Sequence, residues 1–221
     1  MPSFERHLRA ENKSPATIKE SPMAKMHPPK VPENPPEVLT DDELRKLFKA
    51  CSGASLEERR DTGILAVLLD TGARRAEVAA MRLDDLDLDT GRVAVTGKGR
   101  RRRVLSIGKR TIRDLDRYLR LRAQHRDADK PDLWLGKHGP MTGSGIYQVA
   151  VDRAKQAGIK AYAHLFRHTF ADRWLSDDGS EGDLMALAGW KSRTMLQRYA
   201  ASRASERAIA AHKTRSARDR L

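Results

Sequence analysis

HLFRHTFADRWLSDDGSEGDLMALAGWKSRTMLQRY, residues 164–199, gathers a histidine, an arginine, an indole and a phenol within one stretch. His164 and Arg167 stand at i and i+3, a spacing that puts both on one face of a helix. Leu165, Phe166, Phe170 and Trp174 leave the opposite side apolar enough to pack into a core. After a polar break comes the pair Gly189-Trp190, and Tyr199 follows nine residues later. Such groups facing one spot suit a phosphodiester better than a metal. His164 and His168 do have the i, i+4 spacing of a zinc-binding helix. Yet no glutamate stands in the HExxH place and no cysteine is nearby, so no metal site is expected.

Composition points the same way. Across 221 residues, Lys+Arg 43 against Asp+Glu 30 gives a net charge of +13. An excess of that size favours a polyanionic partner, most simply nucleic acid. The bland alternative is a basic protein from an arginine-rich proteome. Cys51 is the only cysteine, which excludes an intrachain disulfide and a cysteine-based zinc site. The opening MPSFERHLRAENK is too polar for a signal peptide. The longest apolar run, Ile64 to Leu69, falls far short of the ~20 residues that span a bilayer. A soluble, cytoplasmic protein without membrane contact is expected.

Along the chain, the reading is mainly α with a small antiparallel β-hairpin, an α+β domain. Thr40 and Glu43 form a capping box for a helix reaching Ala50. Arg59 to Thr71 reads as a buried helix that Gly72 can end with a positive φ. Within TGARRAE, Arg74 sits at a helix junction from which a side chain can enter a cleft, and Glu77 is placed to buttress its guanidinium. An exposed surface arginine is the alternative there. Arg92–Val95 and Arg102–Leu105 flank Thr96-Gly-Lys-Gly99, which reads as a hairpin with Lys98 at its turn. Arg100, Arg101, Arg102 and Arg103 then form a basic strand expected to touch DNA phosphates. A P-loop is excluded, because Gly91 is one residue out of place and Gly99 replaces the Ser/Thr. Helices are expected over Lys109–His125 and Gly143–Ala157, with Leu133-Trp-Leu135 inserted into the core between them.

Taken jointly, Arg74, Lys98 in a glycine turn, His164-x-x-Arg167, Gly189-Trp190 and Tyr199 resemble, in order, the active-site pattern of the tyrosine recombinase (phage integrase) family. The resemblance runs from about Thr40 to Ala211 and implies that family's catalytic-domain fold. It implies a DNA strand broken by Tyr199 through a 3′-phosphotyrosyl link, with no ATP, metal or other cofactor. Arg74 and Arg167 would clamp the non-bridging oxygens, His164 would take the tyrosine proton, and Lys98 would protonate the leaving 5′-oxygen. Trp190 would add one donor, and Glu77 would hold Arg74 without reacting. The partner implied is double-stranded DNA, with a monomer when free and a homo-tetramer on synapsed DNA. Trp190 departs from the more usual histidine, and an indole N–H can donate but cannot carry a proton. Ala73 and Ala76 replace larger aliphatic and hydroxyl residues.

The organisation expected is a remnant of an N-terminal core-binding helix (1–20), a proline-rich linker (21–39), a catalytic domain (40–212) and a basic tail (213–221). A helix over about Ser202–His212 is expected to dock on a neighbouring subunit or to fold back in cis. With the middle of the core-binding domain missing, weak and salt-sensitive DNA binding is expected. The competing readings are a truncated DNA-binding module or recombination antagonist, and a topoisomerase-like strand relaxer.

Overall fold

The computed structural model describes residues 36–97, 99, 101–194, 196 and 199. Residues 1–20, most of the linker, Lys98, Arg100, the helix expected at 202–212 and the basic tail therefore lie outside the described residues. At the linker's end the structure adds a detail. Leu39 is only 3% exposed and its N–H donates to Thr169 Oγ1 at 2.9 Å, so the packed body reaches back past Thr40.

Helix α1, Asp41–Ala50, starts at the expected capping box: Thr40 Oγ1 accepts from the Glu43 N–H, and the Glu43 carboxylate accepts from the Thr40 N–H. Ser55 and Glu58 repeat the device for α2, Leu56–Thr71. Helix α2 is the centre of the fold. Ile64, Leu65, Ala66, Val67 and Leu68 are all buried, which a helix apolar around most of its girth requires. Gly72 ends it at φ 57°, where a Cβ would also lie 2.5 Å from the Phe170 ring. A short helix, α3, covers Arg75–Ala79.

Three strands follow, β1 (Leu86–Asp87), β2 (Arg92–Thr96) and β3 (Arg102–Ser106), antiparallel in the order β1-β2-β3. Val95 pairs with Arg103 and Ala94 with Val104. Helix α4, Lys109–Arg122, lies along α2, and a two-stranded ribbon, β4 (Leu135–Gly136) with β5 (Gly139–Pro140), leads into α5, Gly143–Gln156. Then come α6, Ala163–Ser176, and α7, Glu181–Ala188. Helix α6 packs on α2, and α7 on α6 and β3. No described helix is long and apolar enough to cross a membrane.

The buried side of α4 carries Leu115, with Ile112 and Leu119 packed partly buried against the core, and Tyr118 and Arg122 take interior places beside them. Arg122 is tolerated there because its guanidinium donates to the carbonyls of Ala128, Lys130, Asp132 and Leu133, tying down the loop. Trp134 is 0% exposed, stacks on Tyr118 at 5.4 Å, and donates from Nε1 to the Val78 carbonyl at 2.9 Å. Trp134→Ala is therefore expected to cost about 3–5 kcal/mol, read from the denaturant midpoint. A loss under ~1 kcal/mol would mean that the insertion is not part of the core.

Candidate active site

Gly72 stops α2, and the chain turns through Ala73 so that Arg74 becomes the N-cap of α3. Three residues on, Glu77 accepts from the Arg74 N–H at 2.8 Å and from its Nη1 at 3.1 Å. Glu77 is 4% exposed and Arg74 is half-exposed, so a buried carboxylate aims an accessible guanidinium. A second arginine grips the same carboxylate: Arg103 Nη1 and Nη2 donate to its two oxygens, each at 2.8 Å. Burial by itself raises the Glu77 carboxyl, but the hydrogen bonds and charges of Arg103 and Arg74 outweigh it and bring the pKa from 4.5 down to about 2.

The sign of this shift fixes a pH effect. A carboxyl held lower in the folded state contributes stability that is present above its ordinary pKa and lost as pH falls through the folded one. Unfolding stability should therefore fall between about pH 4.5 and about 2 in the wild type, and Glu77→Gln should flatten that part of the profile. Equal slopes for the two proteins would remove Glu77 as the titrating group.

Helix α6 brings up the other half. Its i, i+3 spacing sets His164 and Arg167 facing Arg74, and together with Ala73, Arg75, Ala76, Tyr147, Tyr162 and Ala163 they line a cleft of about 330 Å³. Arg167 is 3% exposed; Nη1 donates to the Gly72 carbonyl and Nη2 to the Ala188 carbonyl, both at 2.6 Å. Burial, then the charge of Arg74, pulls its pKa down to about 10, which leaves it cationic at neutral pH. His164 is exposed in the cleft, and its pKa lies below the ordinary 6.5, first by desolvation and then by the charges of Arg167 and Arg74. The shift favours the neutral imidazole, the form that can accept a proton.

Gly189 ends α7 at φ 64° and hands the chain to Trp190. The Trp190 ring meets the Arg167 guanidinium at 5.3 Å and lies nearly parallel to the Tyr199 ring, with centroids 5.6 Å apart. Tyr199 is 2% exposed, and its hydroxyl contacts His168 Nδ1. Trp190 and Tyr199 belong to a smaller apolar cluster with Ala171, Leu175, Leu184, Ala188 and Leu196. Arg74, His164 and Arg167 thus share one cleft, while the indole and phenol sit in the adjoining cluster, joined to it through Arg167. Lys98 and Arg100 lie outside the described residues.

The basic strand requires a correction. Arg101 and Arg102 are exposed, Arg102 pairing with Asp85 at 3.1 Å, but Arg103 is turned inward, with both Nη atoms on the Glu77 carboxylate. Side chains on a strand alternate, and Arg103 falls on the same face as buried Leu105 while Val104 points out at 58% exposure. Alternation was the signal that would have found it. His168, which by spacing alone offers half of a metal pair, lies one turn beyond His164, and from there it contacts Tyr199.

Known proteins resemble this chain in sequence and in fold. The chain is 33% identical over 186 residues to the tyrosine recombinase XerC of Azotobacter vinelandii, covering 83% of this chain and 60% of that protein. It is 32% identical over 189 residues to XerC of Xanthomonas axonopodis pv. citri, covering 82% and 59%. The chain spans about 55–60% of the length of such curated relatives. Among solved structures, the XerA recombinase superposes with a TM-score of 0.68 at 27% identity, over 87% of this chain and 66% of that one. The XerH site-specific recombinase bound to palindromic difH substrate, a post-cleavage complex, shares the fold with a TM-score of 0.70 at 19% identity, over 84% and 55%. The pattern of the phage integrase family matches residues 37–206, an interval that holds the Arg74 turn, the His164–Arg167 helix and Tyr199; the chain belongs to the phage integrase family.

Proposed function

We propose that this chain breaks and rejoins DNA strands as the cleaving domain of a site-specific tyrosine recombinase. The observation that carries the reading is the cleft itself. Two guanidinium groups and an imidazole line it, inside a domain matched to the family, with one guanidinium packed on the indole next to Tyr199. In this reading the Tyr199 oxygen attacks phosphorus, the new P–O(Tyr) bond forms as the P–O5′ bond breaks, and the strand's 3′ end stays on the protein. His164 accepts the phenolic proton, and Lys98 supplies a proton to the departing 5′-oxygen. Arg74 and Arg167 hold the non-bridging oxygens by forked bonds that strengthen as charge gathers on them. Attack by a 5′-hydroxyl reverses the step, so the bond energy is conserved.

Tyr199 at 2% exposure cannot meet a phosphate where it stands. Cleavage in this scheme needs the segment carrying it to shift toward the cleft when DNA is bound. Exposed Arg101 and Arg102 extend the cationic surface along the hairpin, in keeping with a double-stranded DNA partner. Four copies on synapsed DNA and a cytoplasmic setting complete the reading.

A duplex nicked just past the cleavage point tests it, because the short 5′-hydroxyl product diffuses away and the adduct persists. Incubation with the protein is expected to give an SDS-resistant protein–DNA complex. The same yield is expected with EDTA, since arginines supply the charge that a metal would otherwise provide. Firm DNA binding without any adduct would instead support a binding module or a recombination antagonist, and an EDTA-sensitive adduct would overturn the arginine-based scheme.

A further inference from the structure

Three motif segments far apart in sequence meet at one guanidinium, that of Arg103. Its Nη1 and Nη2 donate to the two oxygens of Glu77, and its Nε donates to the Leu187 carbonyl, all at 2.8 Å. Glu77 holds Arg74, and Leu187 lies in the last turn of α7, just before Gly189-Trp190. Two glycines make room for this side chain. A Cβ on Gly97 would lie 3.0 Å from Glu77 Oε1 and 3.5 Å from Arg103 Nη1; on Gly189 it would lie 3.3 Å from Arg103 Nη1. The glycine before Lys98 and the glycine before Trp190 therefore press on the same ion pair.

The end of α7 shows what the contact supplies. A helix leaves its last four carbonyls without helical partners. Here Met185 O accepts from the Trp190 N–H, Ala186 O from the Gly189 N–H, Leu187 O from Arg103 and Ala188 O from Arg167. Two of the four are met by arginines that also reach the α2–α3 side, at Glu77 and at Gly72. Cations at a helix C-terminus are favoured by its dipole as well.

We infer that Arg103 is a positioning residue for strand cleavage: without touching DNA, it locks Arg74 through Glu77 and anchors the α7 end from which Trp190 and Tyr199 follow. This rests on the cleavage reading above. A lysine cannot replace it, since one ammonium cannot satisfy a carboxylate in a fork and a carbonyl from a separate nitrogen.

The test compares wild type, Arg103→Ala, Arg103→Lys, Glu77→Gln and the Arg103→Ala/Glu77→Gln double variant on a nicked duplex. Single-turnover adduct formation and the salt dependence of non-covalent binding are both measured. Arg103→Ala is expected to slow adduct formation about 10- to 100-fold, the loss seen when outer partners that orient metal ligands are removed. Arg103→Lys should recover little, and the double variant should be no slower than the worse single one. The salt slope should stay at the wild-type value, whereas removing a phosphate ligand lowers it by about 0.9. A lowered slope, full recovery by lysine, or multiplying losses in the double variant would each overturn the inference. If the wild type forms no adduct, the cleavage reading fails, and the salt slope still decides whether Arg103 touches DNA. Should Arg103→Ala fail to fold, Arg103→Lys carries both measurements.

Discussion

In the Tyr199→Phe variant, covalent attachment to a nicked duplex is expected to fall to background while non-covalent DNA binding stays within a few fold of wild type. The argument is that only one oxygen is removed. The ring that stacks on Trp190 at 5.6 Å is retained, so the small cluster with Leu175, Leu184 and Leu196 keeps its packing. The hydroxyl's contact with His168 is lost, at a cost to stability of about 1 kcal/mol, too little to unfold a domain of this size. A phenylalanine has no nucleophilic atom to offer, so the loss of adduct is complete rather than graded. Persistence of an SDS-resistant adduct in this variant would assign the nucleophile elsewhere.

Arg167→Ala carries the second large effect, a fall in cleavage rate of about 10²–10³, the range for losing one preorganised donor to developing charge. Binding should weaken far less, because Arg167 is 3% exposed and contributes little to the long-range attraction of DNA. The structure adds a second consequence. Arg167 also donates to the Gly72 and Ala188 carbonyls, so alanine leaves two buried acceptors unmet, at about 1–3 kcal/mol each. Thermal stability should therefore drop along with the rate. Arg167→Lys separates the two effects: it keeps the charge and loses the fork, so binding is retained while rate remains low. Equal losses in rate and affinity for both variants would reduce Arg167 to a backbone clamp.

Much of this was legible in the residues. Capping chemistry at Thr40 and Glu43, the glycine stop at Gly72 and the hairpin around Gly97 are local, and local rules located them. The cleft group was legible for a related reason: Arg74 stands at a helix junction, and His164 and Arg167 share a helical face. What could not be read was which partner each charge would meet across the fold. Four consecutive arginines look equivalent in a string, and only the pleat of β3 turns Arg103 toward a carboxylate 26 residues earlier. Likewise nothing within the α4 segment marks Arg122 as an interior residue whose guanidinium gathers loop carbonyls. Charges inside a protein are fixed by long-range pairing, which spacing along the chain does not encode.

The most direct check of the account is to identify the residue and the DNA end joined in the trapped adduct. Trypsin cuts after Arg198 and Arg203, which isolates Tyr199 in a five-residue peptide with no other hydroxyl-bearing aromatic. Mass spectrometry of nuclease-trimmed adduct is expected to find that peptide carrying a nucleotide through a 3′-phosphate on the tyrosine. A 5′-phosphate linkage, or a nucleotide carried by any other residue, would contradict the account.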